Sequence, residues 1–156
     1  MKQAHLLLRH PWGWLATGFG SGLAPWAPGT FGSLAALLPW LLLRELPLTA
    51  VFAVVIVVFV LGVLASEWAM QKLGGDDPGC VVIDEWVGLW IALFVAPPGW
   101  WWLLAGFVLF RLFDIAKPWP VGWLERRLEG GLGVMADDVA AGFMAALVLV
   151  LAGLWV

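Results

Sequence analysis

Two pairs of adjacent acids, Asp84-Glu85 and Asp137-Asp138, each lead directly into a long apolar run. One helical turn after each pair stands a glycine, Gly88 or Gly142, which leaves room beside the acid. A single acid at a helix N-terminus is ordinary, and Asp137 reads naturally as the N-cap of the last helix. Two adjacent acids at an apolar boundary are costly unless something partners them. Acid pairs from separate segments, with no Cys or His among them, suit a hard divalent cation bound through oxygen. Mg²⁺ is the ion that commonly combines one or two carboxylates with waters and substrate phosphate.

Two further clusters extend this chemistry. The run FRLFDIAKP places Arg111 three residues before Asp114 and Asp114 three before Lys117, the spacing of neighbours on one helix face. Pro118 pushes Lys117 toward extended geometry and predicts a helix end there. Residues 18–33 hold five glycines with Thr30 and Ser33, just before an apolar helix. Such a stretch lets backbone N–H groups approach an anion, with the two hydroxyls as added donors; it reads equally as a turn closed by a Ser or Thr N-cap. A cation site, a cationic clamp and oriented backbone donors are together the parts of phosphoryl chemistry.

The other polar residues have simpler readings. Asp76 reads most simply as solvated, and Asp77 as a turn former with Pro78-Gly79, with a ligand role for Asp77 left open. Trp119, Pro120 and Trp123 anchor at an interface, while Glu125, Arg126, Arg127 and Glu129 make a solvated face. Glu67 sits near the end of an apolar helix, with its role open between ligand and packing.

Composition narrows the classes. Charged residues are 12% of the 156-residue chain and apolar residues 63%, whereas a soluble domain carries about 25% charged. Much of the exterior must therefore face lipid. The net charge of −3 offers no footprint for nucleic acid. The lone Cys80 rules out an intrachain disulfide, and both histidines, His5 and His10, precede any core element.

Five apolar stretches must position the polar clusters: residues 34–43, 48–65 continuing to 71, 86–96, 100–113 and 139–156. The second and last reach the ~20 residues that cross a bilayer. Three are shorter, at about 17–21 Å, and cross only if their polar ends sit below the headgroups. Before them, residues 1–18 lack a signal-peptide core and read as an interfacial segment carrying Trp12 and Trp14. The fold expected is an all-α, polytopic membrane bundle of about five helices in one domain, residues 1–156, with the N-terminus cytoplasmic. Alternating the spans from that start puts Lys2, Arg9, Lys72, Arg111, Lys117, Arg126 and Arg127 inside and only Arg44 outside. The same face collects nine of the eleven acids, between Asp76 and Asp138.

The stretches APGTFGS (27–33), DPGCVVIDEWVG (77–88), FRLFDIAKPWP (110–120) and GLGVMADDVAAG (131–142) together resemble the phosphatidylglycerophosphatase A family in order and spacing. The resemblance implies a magnesium-dependent, multi-pass enzyme of the bacterial cytoplasmic membrane. Its substrate would be phosphatidylglycerol phosphate, hydrolysed to phosphatidylglycerol and inorganic phosphate among the membrane lipids. Other phosphatase chemistries fail on residues. No histidine is available as a core nucleophile, Trp86 stands where a cysteine phosphatase needs Arg, and no DxDxT motif occurs. Direct attack by a metal-associated water is therefore the leading mechanism. Asp84, Glu85, Asp137 and Asp138 are then the expected metal ligands, Asp114 and Lys117 the catalytic pair, and Thr30, Ser33, Arg111 and Lys117 the phosphate contacts. The rival classes are a divalent cation carrier or channel, which needs acids through the bilayer depth, and a scaffold subunit, which would tolerate neutralised acids. Homo-oligomer formation is left open.

Overall fold

The computed structural model describes residues 4–75 and 78–154; Asp76, Asp77 and Lys2, given roles above, lie outside the described residues. The described residues form eight α-helices and one 3₁₀ turn, with no strand among them. Two short helices, α1 (Ala4–Leu7) and α2 (Pro11–Ala16), precede the turn at Ser21–Leu23. The body consists of α3 (Pro28–Leu43), α4 (Leu48–Leu73), α5 (Ile83–Leu93), α6 (Trp100–Ala116) and α8 (Gly130–Gly153), with the short α7 (Val121–Glu125) between the last two. The five expected apolar stretches are thus five helices. Residues 4–16 dock on α4, where the His10 ring stacks on Trp68 with centroids 4.7 Å apart.

Several boundaries differ from the sequence expectations. α3 begins at Pro28, with Ala27 as its N-cap in the left-handed region (φ 44°), so no Ser or Thr caps it. α3 and α6, at 16 and 17 residues, are longer than expected; only α5, at 11 residues and about 17 Å, is as short. α8 begins at Gly130, so Asp137 lies two turns inside the helix and is not its N-cap. Polar, glycine-rich composition disguised those turns as a loop. Glu67 does the capping instead: its Oε2 accepts the Gly131 N–H at 2.9 Å, and Gln71 holds the other oxygen at 3.1 Å. Glu67 is therefore a capping and packing residue. α6 does stop before Pro118, but Lys117 is left-handed (φ 44°), not extended.

α4 and α8 are long and apolar enough to cross a membrane. Only 22% of the apolar window of α4 is buried, whereas the core helix of a soluble protein would be mostly enclosed. Phe52, Ile56, Val60 and Leu64 point outward along α4, as do Phe143 and Leu147 on α8. So wide an apolar exterior fits lipid, not water. α5 is the opposite case. Nine of its eleven residues are buried, including both tryptophans, and Trp90 donates its indole N–H to the Ala36 carbonyl of α3 at 2.9 Å. A helix enclosed on all sides can be apolar all round.

α5 lies most closely against α8, and two glycines permit it. A methyl group on Gly88 would stand 2.6 Å from the Asp138 carbonyl oxygen, and one on Gly142 would overlap the Gly88 carbonyl. Close approach of small residues is how lipid-embedded helices gain packing without a hydrophobic driving force. The N-termini of α3, α5 and α8 and the C-termini of α4 and α6 share one end of the bundle, while Pro97 meets Gly153 at the other. Gly142→Ala should overpack this crossing and destabilise the protein by about 1–3 kcal/mol. Gly79→Ala, where nothing lies within 4 Å, should change stability by less than about 0.5 kcal/mol. Thermal unfolding in detergent checks both, and equal stability of the two variants would contradict the crossing.

Candidate active site

The glycine crossing sets the two acid pairs side by side. Asp84 and Glu85 occupy the first turn of α5, and Asp138 descends along α8 to meet them. One carboxylate oxygen from each of Asp84, Glu85 and Asp138 lies within 4.8 Å of the others. Glu85 and Asp138 are buried, and Glu85 Oε2 and Asp138 Oδ2 have no hydrogen-bond partner. Buried carboxylate oxygens left unpaired are strongly disfavoured.

Asp137 does not join this trio. Its Oδ2 accepts from Lys117 Nζ at 2.8 Å and its Oδ1 from the Asp138 N–H at 3.0 Å. Lys117 also donates to Glu125 Oε1 at 2.6 Å, across the turn at Pro118 to Pro120. Burial works against the Lys117 ammonium, but hydrogen bonds and charge from Asp137 and then Glu125 outweigh it. Its pKa is held above the ordinary lysine range, so the side chain is a cation at every physiological pH. Its left-handed backbone is a strained conformation for a residue with a Cβ, of the kind that collects at functional sites.

Arg111 mirrors this arrangement. Its guanidinium pairs with Asp114 on the next turn of α6 and approaches Glu85 Oε1 at 3.5 Å. Above it runs the first turn of α3. A Cβ on Gly29 would overlap Glu85 Oε1 and stand 3.1 Å from two Arg111 nitrogens. Gly29 is thus the point where the glycine-rich segment reaches the site. Thr30 follows, half-buried, with its N–H on the Ala27 carbonyl. Ser33 is fully buried and donates to the Gly29 carbonyl at 2.8 Å, so it lies beneath the site as a support for that turn. Gly22 and Gly32 serve packing, each making room for the 80–82 segment.

The residues predicted from sequence therefore converge, with two adjustments: Asp137 serves Lys117, and Ser33 serves Gly29. Glu125, read as part of a solvated face, holds Lys117 instead. The proline turn was the available signal, since a reversal after Lys117 brings α7 back over it; a Cβ on Gly122 would stand 2.7 Å from the Lys117 carbonyl.

Six carboxylates (Asp84, Glu85, Asp114, Glu125, Asp137, Asp138) face two cationic side chains (Arg111, Lys117) in this end of the bundle. Unpaired buried oxygens, an all-oxygen donor set and excess negative charge together fit a hard cation held by Asp84, Glu85 and Asp138. Binding of Mn²⁺ or Mg²⁺ to the folded protein should raise its melting temperature, since a ligand at a hundred times its Kd stabilises by about 2.7 kcal/mol. Asp138→Asn should abolish that rise. Glu67→Gln should weaken the cap by about 1 kcal/mol yet keep the rise. A cation response surviving Asp138→Asn would exclude this trio as the site.

Known proteins resemble this chain along nearly its whole length. The family model for phosphatidylglycerophosphatase A matches residues 14–153. Phosphatidylglycerophosphatase A of Escherichia coli (strain K12) is 43% identical over 154 residues, covering 98% of this chain and 90% of the relative. The Haemophilus influenzae protein of the same name is 41% identical, covering 90% and 88%. A Bacteroides thetaiotaomicron protein, provisionally named phosphatidylinositol-3-phosphatase, is 44% identical, covering 91% and 92%. No solved structure matches the chain. With the family model spanning nearly all of the chain and relatives above 40% identity along its length, this protein belongs to the phosphatidylglycerophosphatase A family.

Proposed function

We propose that this chain hydrolyses the terminal phosphomonoester of phosphatidylglycerol phosphate, releasing phosphatidylglycerol and inorganic phosphate in phospholipid biosynthesis. The observation that carries the reading is the convergence of Asp84, Glu85 and Asp138 with Arg111 and Lys117 at one end of a lipid-facing bundle. The names of the Escherichia coli and Haemophilus influenzae relatives support the substrate. A cation carrier would need acids along its path, yet α3, α5, α6 and α8 carry none beyond the polar end.

In this reading Asp84, Glu85 and Asp138 hold Mg²⁺, which when bound supplies charge neutralisation at the phosphate oxygens and acidifies water. Arg111 and Lys117 bind the remaining phosphate oxygens through charged hydrogen bonds. The Gly29 turn comes close enough to Arg111 and Glu85 for its backbone to border the phosphate, and the Thr30 hydroxyl is the added donor. Asp114, oriented by Arg111, takes the proton of the attacking water. The new P–O bond forms as the ester P–O bond breaks, and the leaving glycerol oxygen takes up the proton that Asp114 removed from the water. Asp137 keeps Lys117 in place.

The side of the membrane follows from charge. Lys72, Arg111, Lys117, Arg126 and Arg127 lie at the site's end of the bundle and Arg44 at the other, so the positive-inside rule turns the site toward the cytoplasm. The enzyme is then a multi-pass protein of the bacterial inner membrane whose site meets lipid headgroups at their own depth.

Asp84→Asn, Asp138→Asn and Lys117→Ala should each lower phosphate release from phosphatidylglycerol phosphate by about 10²-fold or more, the scale of losing one charge-stabilising group. EDTA should silence the parent enzyme and Mg²⁺ restore it, assayed as phosphate released in detergent. Near-parental turnover in all three variants would refute the reading.

A further inference from the structure

Glu125 contacts Lys117 as closely as Asp137 does, at 2.6 Å against 2.8 Å, yet the two carboxylates are held very differently. Asp137 is buried within α8, and its other oxygen is taken by the Asp138 N–H. That second bond and its burial hold it in place. Glu125 ends a helix of five residues, and its side chain is 47% exposed. Both line one cleft of about 990 Å³ at the polar end, so Glu125 has open space to swing into. The Lys117 ammonium thus stands between a buried carboxylate and a half-exposed one.

We propose that Glu125 occupies, in the resting protein, the place on Lys117 that a phosphate oxygen takes during the reaction. This rests on the reading of Lys117 as a phosphate contact. An ammonium has three donors and no acceptor, and two of its donors are already given to carboxylates. A phosphate dianion brought to the same nitrogen meets both negative charges at only a few ångströms. Like charges so placed repel, and the exposed partner is the one that yields. Glu125 is thus a positioning residue. It keeps Lys117 extended over Asp137 while no phosphate is bound, gives way to the phosphomonoester, and competes again for the ammonium once inorganic phosphate has formed. Its return favours release of the product. No bond is made or broken in this exchange; one charge-assisted hydrogen bond replaces another.

The test is product inhibition by inorganic phosphate, with KM and kcat measured separately on the full-length protein in detergent. Glu125→Gln and Glu125→Ala should each lower the inhibition constant for phosphate about three- to fivefold, the worth of a partly exposed ion pair, and lower KM in the same direction. Lys117→Ala alone should raise the inhibition constant, and adding Glu125→Gln to it should change nothing further. A merely structural role for Glu125 would reduce kcat or raise KM without tightening phosphate. If Lys117→Ala weakens phosphate inhibition but both Glu125 variants leave it unchanged or weaker, this inference falls while the Lys117 assignment stands. If Lys117→Ala leaves the inhibition constant unchanged, the Lys117 assignment itself falls, and the exchange with it.

Discussion

Excess negative charge in a low dielectric governs this structure. Charged groups at a membrane boundary are tolerated only when partnered, and here six carboxylates share two cationic side chains. Arg111 is divided between Glu85 and Asp114, and Lys117 between Asp137 and Glu125. What these pairs leave over is concentrated at Asp84, Glu85 and Asp138, where Glu85 Oε2 and Asp138 Oδ2 are buried without a hydrogen-bond donor. A fold that merely sought stability would replace such a group with apolar side chains. Keeping it makes sense when a hard cation and a phosphate complete the electrostatics.

The backbone is arranged around the same requirement. Gly88 and Gly142 let α5 and α8 approach until Asp138 reaches the first turn of α5, and Gly29 lets α3 lie directly over Glu85 and Arg111. Glu67 secures the start of α8, so that its acids sit two turns inside a capped helix and not on a fraying end. Lys117 takes a strained left-handed conformation to stop α6 and send the chain back through α7. Small residues, a cap and one strained residue thus bring charges from three helices together, while side chains facing lipid carry no such constraint.

Much of the architecture was legible in the residues. The number of apolar stretches, the one-sided placement of acids, and the i,i+3 pair of Arg111 and Asp114 all follow from periodicity and charge, which act locally. The boundaries of α3 and α8 were not legible, because glycines and acids read as loop when their partners are unseen. α8 starts at Gly130, where Glu67, more than sixty residues earlier, accepts the Gly131 N–H. Ser33 looked like a donor to an anion, but its hydroxyl is spent on the turn carbonyl that burial would otherwise strand.

By itself, then, the amino-acid sequence determined that this chain is helical, lipid-facing and acidic at one end, because composition and spacing settle where a segment is stable. Only the tertiary structure decided which acids meet. Successive residues point about 100° apart on a helix, so Asp137 and Asp138, neighbours in sequence, go to different partners. Asp138 reaches Asp84 and Glu85, whereas Asp137 reaches Lys117, and Glu125 leaves its solvated face to meet the same ammonium. Those choices depend on helix rotation and close glycine contact across the bundle, which local pattern does not encode.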